Sequence, residues 1–279
     1  MRDELNSALF DSERGFIRPR PFGAEIAPLS ARDLFKEDQR AERLFGGELG
    51  CRQGPTLRSD EVARIAELIK EHLVRSATSL GGKASELISG CALEQYHSVA
   101  SQFDHQSLLS KIGRILSKEA VEEIRTMSLF RYLADGLGDI ALADEDGVGY
   151  DQICMRVVRP NVREDVGFLH CDNWFWEYYQ WPTPEKKNRL KVWVPICIDA
   201  TENGLVAVPG SHQQALPYKT KVVGHKVGFE PGFEINGLDY RLFDRPAGTA
   251  FLFNYYMLHV GAMNTTPNTR VSIEFTVLY

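Results

Sequence analysis

The periodicity of the chain changes near position 145, and this restricts the folds open to it more than any other feature. Before that point apolar residues recur at helical spacing. Val62, Ile65, Ile69 and Leu73 mark one face of a helix with its N-cap expected at Ser59 and with Asp60 and Glu61 in its first turn. A second helix is expected over 103–116, and a third from Ser117 that carries Val121, Ile124, Leu129 and Leu133 and stops at Gly136 and Gly138. After the change come short β-rich stretches at 153–158, 167–172, 190–198, 205–208, 248–254 and 270–278. Strands at this density argue for a sandwich or a jelly roll, and a jelly roll closed at one end supplies a cavity for a metal and a ligand. The stretch from Lys219 to Asp244, rich in Gly and charge, reads as a long loop suited to capping such a cavity. No repeat, low-complexity tract or long Pro/Gly linker divides the sequence. The expected organisation is one domain over 1–279, with 1–147 as a helical scaffold or lid and 148–279 as the β core; the first 55 residues carry no clear pattern.

Within the β half, His170 and Asp172 flank Cys171. In an extended strand alternate side chains share a face, so positions 170 and 172 are expected to project together and Cys171 to pack on the reverse side. His259 can complete a two-histidine, one-carboxylate face, which leaves three coordination positions open and is diagnostic of non-haem Fe(II) oxygenases. Arg270 follows in the last β stretch, and a guanidinium holds a carboxylate through two parallel charge-assisted hydrogen bonds that lysine cannot reproduce. Of the other histidines, His212 is the rival third imidazole. His72, His97, His105 and His225 lack a partner at ligand spacing and read as surface or structural residues.

Composition narrows the partners. A net charge of -6 without a dense basic block makes nucleic acid a poor partner, and 43% apolar content is ample for a core, so a small-molecule substrate is expected. The charged start, Met1-Arg2-Asp3-Glu4, and the lack of any apolar run near the ~20 residues of a membrane span lead to the expectation of a soluble cytoplasmic protein, monomeric or homodimeric. Cysteines at 51, 91, 154, 171 and 197, an odd number without a CxxC pair, are expected to be reduced thiols.

One family shares this ordered set of residues. His170-x-Asp172, Trp193-Val194-Pro195, Asn203-Gly204-Leu205, Val208-Pro209-Gly210-Ser211-His212, Gly248-Thr249-Ala250-Phe251-Leu252-Phe253, His259 and Arg270 together resemble the phytanoyl-CoA dioxygenase-like branch of the Fe(II)/2-oxoglutarate-dependent oxygenases. The resemblance covers roughly 150–279. It implies a double-stranded β-helix, a cupin-like jelly roll, here in a mainly β chain flanked by α-helices from a helical N-terminal half. It implies iron bound by His170, Asp172 and His259, and the distal carboxylate of 2-oxoglutarate held by Arg270; in the family the Pro-Gly-Ser-His turn is structural, which disfavours His212. The implied activity is that of a dioxygenase consuming O2 and 2-oxoglutarate, releasing succinate and CO2, and hydroxylating an unactivated C–H bond of a small polar or cyclic metabolite. Halogenating relatives carry a small residue in place of the carboxylate ligand, so Asp172 argues against halogenation, while desaturation and ring closure stay open.

Further candidates are weaker. The run from Asn173 to Trp181 is unusually aromatic, and Trp176, then Trp174, are candidate substrate contacts, with core packing or a subunit contact as the alternative. Trp193 and Lys191 share one face of a strand that the resembled family uses to line its co-substrate pocket, and the resemblance makes them candidates to touch 2-oxoglutarate; Gln152 and Arg156 share another strand face, as candidates for 2-oxoglutarate and substrate respectively. Two competing functions remain: a cupin-like metal-dependent isomerase or lyase in which Arg270 grips the substrate, and a non-catalytic jelly-roll binding protein.

Overall fold

The computed structural model describes residues 9–11, 15–17, 19–27, 47–181, 188–200, 203–223 and 226–279; His225 lies outside them. The strands are β1 (Leu9–Asp11), β2 (Gly15–Ile17), β3 (Arg20–Pro21), β4 (Cys51–Thr56), β5 (Ala141–Leu142), β6 (Cys154–Val158), β7 (Arg189–Cys197), β8 (Leu205–Ala207), β9 (Tyr218–Val223), β10 (Lys226–Pro231), β11 (Arg241–Phe243), β12 (Thr249–Asn254), β13 (His259–Gly261) and β14 (Arg270–Leu278). The helices are α1 (Ser59–Ala77), α2 (Gly82–Gly90), α3 (His105–Leu108), α4 (Lys118–Ile124), α5 (Ser128–Leu137) and α6 (Asp172–Tyr179).

Two sheets carry the site. The larger runs β4-β12-β7-β14-β5, with β6 also paired to β14, and the smaller runs β13-β8-β11-β3. The strands β3, β4 and β5 precede position 148 yet are hydrogen-bonded into these sheets. Nearly every residue of β7, β12 and β14 is buried because both faces of the larger sheet are covered. One face, with Val192, Val194, Leu252, Ile273 and Val277, packs in a common core with the helices. The other, with Trp193, Phe251 and Phe253, meets Leu205, Ala207 and Phe243 of the smaller sheet. Phe243 stacks on Phe251 at 4.5 Å between centroids, which ties the two sheets together.

On the helical side, α1 turns Ile65, Leu68, Ile69, Leu73 and Ala77 into the core. Full burial of each large aliphatic side chain stabilises by about 1.5–3 kcal/mol. The helix starts one residue earlier than expected, at Ser59 itself: Arg58 is the N-cap, and its backbone N–H donates to the Glu61 carboxylate at 3.1 Å. The same carboxylate accepts from the Ser128 backbone N–H at 2.7 Å and the Ser128 hydroxyl at 2.5 Å. That contact fixes the start of α5, so the single helix expected from Ser117 is instead α4 and α5 with a break at Arg125–Met127. The helix expected over 103–116 is corrected to the short α3 and a 3-10 turn at Ile112–Arg114. Asp104 caps the Ser107 N–H at 3.0 Å, and the Ser110 hydroxyl takes the Gly113 N–H at 3.3 Å, so side chains compete with helical bonding there.

The long loop expected over 219–244 is also corrected. β9 and β10 form an antiparallel hairpin with Tyr218 opposite Pro231, and β11 joins the smaller sheet. The charged residues that suggested a loop alternate with β-formers, and Phe229 of β10 is 1% exposed. All five cysteines are free, and buried Cys171 packs with Trp174 and Leu258. Among the described residues no helix is long and apolar enough to cross a membrane.

Candidate metal centre

The strand expected over 167–172 is corrected, although its consequence survives. His170 forms an isolated antiparallel bridge with His259: its N–H donates to the His259 carbonyl at 3.1 Å, and the His259 N–H returns to the His170 carbonyl at 2.8 Å. The chain then turns, and Asp172 is the first residue of α6. A carboxylate in the first turn suits the positive end of a helix, and the turn, not strand alternation, aims Asp172 at the two imidazoles.

Backbone carbonyls set the tautomers. His170 Nδ1 lies 2.7 Å from the Phe168 carbonyl and His259 Nδ1 lies 2.9 Å from the Met257 carbonyl. A carbonyl only accepts, so each Nδ1 carries the hydrogen, and in the neutral ring it is Nε2 that offers its lone pair. Burial, followed by the neighbouring His259, pushes the His170 pKa down to about 3, so its ring is neutral. One ligand atom from each of His170, Asp172 and His259 can be chosen so that all lie within 4.8 Å of one another. Asp172 Oδ2 is 3.6 Å from His259 Nε2, buried, and without a hydrogen-bond partner. A buried acceptor in that state costs about 1–3 kcal/mol unless something binds it.

A buried charge network supports the carboxylate. Lys191 Nζ lies 3.5 Å from Asp172 Oδ1 and 4.0 Å from Glu145 Oε1, and the Thr276 hydroxyl donates to Glu145 at 2.5 Å. Burial alone would raise the Asp172 pKa, but Lys191 and the two imidazoles outweigh it and hold the carboxyl below its ordinary range. Burial likewise pulls Lys191 down, while Asp172, Glu145 and Glu274 outweigh it and keep the ammonium charged. Arg156 grips Glu274 at 2.6 Å and 2.7 Å and brings that carboxyl to about 2 against the opposing effect of burial.

Arg270, 4% exposed, is the first residue of β14. Its Nη1 donates to Asn203 Oδ1, to the Gly204 carbonyl at 2.8 Å and to the Ala262 carbonyl at 2.9 Å. Among the described residues no carboxylate pairs with it, and burial pulls its pKa down to about 9. Asn203 is held by its own amide donating to Asn264 Oδ1 at 2.7 Å, and Asn264 donates to the Val158 and Asn268 carbonyls at 2.8 Å each. Two glycines make room: a Cβ at Gly204 would sit 2.1 Å from the Phe243 carbonyl oxygen, and one at Gly261 would sit 2.9 Å from Arg270 Nη2.

The remaining sequence candidates spread around this centre. Trp193 packs edge-on against Phe243 between the sheets. Trp174 donates its indole N–H to the Leu216 carbonyl at 2.9 Å and packs on Tyr218. Trp176, 5% exposed, lies under the Arg189 guanidinium. Gln152 precedes β6 and donates to Asp146 at 2.7 Å, while Arg156 is committed to Glu274. His212 falls in the 3-10 turn Ser211–Gln213, and the histidines gathered at the cluster are His170 and His259. In that turn the Ser211 hydroxyl accepts the Leu258 N–H at 2.9 Å and donates to the Val208 carbonyl at 2.6 Å, bracing the chain beside His259. His72 contacts the Gly113 carbonyl, His97 contacts Thr269, and His105 contacts Tyr96 and Asp165.

Sequence reading missed the aromatic rings beside the cluster. Phe175 meets His170 edge-on at 5.2 Å, Phe168 lies 5.3 Å from the same ring, and Phe253 meets His259 at 4.8 Å. It also missed Glu274, whose two-residue spacing from Ser272 and Thr276 on the Arg270 face was the available signal.

Fold and site define a mostly β, two-sheet protein with helices on one side and a buried cluster of two imidazoles and one carboxylate between the sheets. The family model described as Phytanoyl-CoA dioxygenase (PhyH) matches residues 57–272, and the chain belongs to that family. Among solved structures, the chain is similar to the apo form of the non-heme monooxygenase ThoJ, at 16% identity and TM-score 0.54 over 85% of this chain and 76% of that one. It is also similar to EctD from S. alaskensis with bound Fe, at 15% identity and TM-score 0.50 over 98% of this chain and 87% of that one. At these identities the likeness is one of fold. No curated protein matches the sequence.

Proposed function

We propose that the protein is an Fe(II)/2-oxoglutarate-dependent dioxygenase that hydroxylates an unactivated C–H bond of a small polar or cyclic metabolite. In this reading the two sheets are the halves of a double-stranded β-helix, and the chain works as one domain. The observation that carries it is the pairing of an unsatisfied buried Asp172 oxygen with two imidazoles whose Nε2 lone pairs are left available. Such a donor set lacks only a cation, and its nitrogen and oxygen ligands suit iron. His170, Asp172 and His259 would hold the metal, which when bound supplies the redox chemistry that lets O2 react with a C–H bond.

The chain's own groups account for the rest. Arg270, buried and already anchored by three neutral oxygens, would take the distal carboxylate of 2-oxoglutarate and so gain the counter-charge it lacks. Lys191 keeps Asp172 ionised and turns one carboxylate oxygen away from the cluster. Phe168, Phe175 and Phe253 keep water from the imidazoles. The balanced reaction converts RH, O2 and 2-oxoglutarate into ROH, succinate and CO2: one oxygen atom of O2 enters ROH and the other the new carboxylate of succinate, CO2 leaves with the oxygens of the keto acid's own carboxylate, and the two-electron oxidations of C–H and keto acid together reduce O2. Quantifying succinate after aerobic incubation with Fe(II) and 2-oxoglutarate tests this. Wild type is expected to form it and Asp172→Ala to form none; succinate at equal rates in both would overturn the assignment.

A further inference from the structure

Strand pairing holds Arg270 from one side. It pairs with Val158 of β6, whereas the ladder to β7 begins at Val271 and shifts register before Ser272. The two residues that lead into it are held from the helical half instead, by the 3-10 turn Leu93–Ser98. Thr269, 1% exposed, donates its backbone N–H to the Glu94 carbonyl at 2.7 Å. Its hydroxyl accepts the His97 backbone N–H at 3.1 Å and lies 2.9 Å from His97 Nδ1. Gln95 Nε2 donates to Asn268 Oδ1 at 2.8 Å.

The turn is itself anchored in the interior. Tyr96 is fully buried, and its hydroxyl lies 2.9 Å from His105 Nδ1. His105 Nε2 lies 3.4 Å from Asp165 Oδ1, and Asp165 accepts from Arg159 Nε at 2.7 Å and Nη2 at 2.8 Å. A buried network therefore ties the turn to the segment that follows β6. From Asn268 a second route runs to the guanidinium: its carbonyl accepts from Asn264 Nδ2 at 2.8 Å, Asn264 Oδ1 accepts from Asn203, and Asn203 Oδ1 accepts from Arg270 Nη1. The turn thus reaches Arg270 both through the backbone of Thr269 and through the asparagine pair.

We propose that His97 and Thr269 are positioning residues for Arg270, so that the affinity for the co-substrate is set in part from the helical half of the chain. A guanidinium grips a carboxylate through parallel bonds only when its plane is held in direction, and neighbouring hydrogen bonds supply that hold. Thr269 is bonded to the turn through both its amide and its hydroxyl, and the next residue is the one whose direction matters. The word co-substrate rests on the dioxygenase reading, but the positioning itself can be read on Arg270 with no ligand present.

The test uses the full chain carrying isotope-labelled arginine, with the Arg270 guanidinium signal identified by its loss in Arg270→Lys. Thr269→Val keeps the shape and removes the hydroxyl. It should speed hydrogen exchange of that guanidinium about fivefold, and weaken anaerobic 2-oxoglutarate binding to the Fe(II)-loaded protein by a similar factor, with Fe(II) affinity unchanged. His97→Leu removes the same contact from its half-buried side and serves where Thr269→Val does not fold. Thr269→Ser and His97→Asn, which return a polar atom to each place, should restore both readouts. The double variant should be no worse than either single one, because both remove one contact. A purely structural role predicts lower unfolding stability with the Arg270 signal and the 2-oxoglutarate affinity at their wild-type values, and that result would overturn the proposal. A guanidinium signal that responds to Thr269→Val in a protein that binds no 2-oxoglutarate would keep the positioning and remove the dioxygenase reading.

Discussion

At the scale of single residues, Asn203 is the least conspicuous part of the site and carries one of its sharpest predictions. Its side-chain oxygen accepts from Arg270 while its amide is fixed by Asn264. Asn203→Ala therefore removes one anchor of a buried cation and leaves Asn264 Oδ1 with one donor fewer. A loss of about 1–3 kcal/mol is expected in urea unfolding, with about tenfold weaker 2-oxoglutarate binding. Unchanged 2-oxoglutarate affinity would show that Arg270 does not depend on this amide. Gly261→Ala separates positioning from stability: the added Cβ presses on Arg270 Nη2, so co-substrate affinity should fall more than the unfolding free energy does. The cluster of His170, Asp172 and His259, and the buried Arg270, were legible because two histidines, a carboxylate and an arginine in this order have few other uses. Their supports were less so, since Asn203 and Asn264 meet across the fold and nothing in either residue's neighbourhood announces the other.

Among the elements, β14 was read from the sequence to the residue because its alternating pattern runs without a break. The His170–Asp172 segment was misread for an instructive reason. A histidine and an aspartate two apart fit a strand face, yet one bridge residue followed by a helix start gathers the same side chains. The β9–β10 hairpin was missed because its lysines and glycine look like a loop when charge is counted and alternation is not. The Pro-Gly-Ser-His turn matters through Ser211, which ties the Leu258 N–H beside His259. Ser211→Ala should cost about 1–3 kcal/mol by leaving that donor buried and unpaired, and metal affinity should drop with it. Retained stability with normal metal binding would mean that the turn does not brace the ligand.

For the whole molecule, two buried groups make stability depend on pH in a defined direction. His170 is depressed to about 3 and Glu274 to about 2 in the fold. Their unfolded values are about 6.5 and 4.3, so both groups contribute stability that is present above those values and lost as pH falls toward the folded ones. The stability of the metal-free protein against unfolding should weaken first below about pH 6.5, as the unfolded chain takes up the proton that folded His170 refuses, and again below about pH 4.3. A stability profile flat between about pH 7 and pH 4 would contradict that assignment. At this scale the sequence showed helices before strands, but not that β3, β4 and β5 reach back into the sheets, because pairing partners so far apart leave no local signal. On the proposed function, the His170–Asp172–His259 cluster binds the metal and Arg270 binds the co-substrate. The most direct measurement is an anaerobic titration of the metal-free protein with Fe(II) and then 2-oxoglutarate, followed by the visible charge-transfer band. The band should saturate at one equivalent of each in wild type, be absent in His259→Ala, and require far more 2-oxoglutarate in Arg270→Ala. An unchanged band in His259→Ala, or wild-type 2-oxoglutarate affinity in Arg270→Ala, would contradict it.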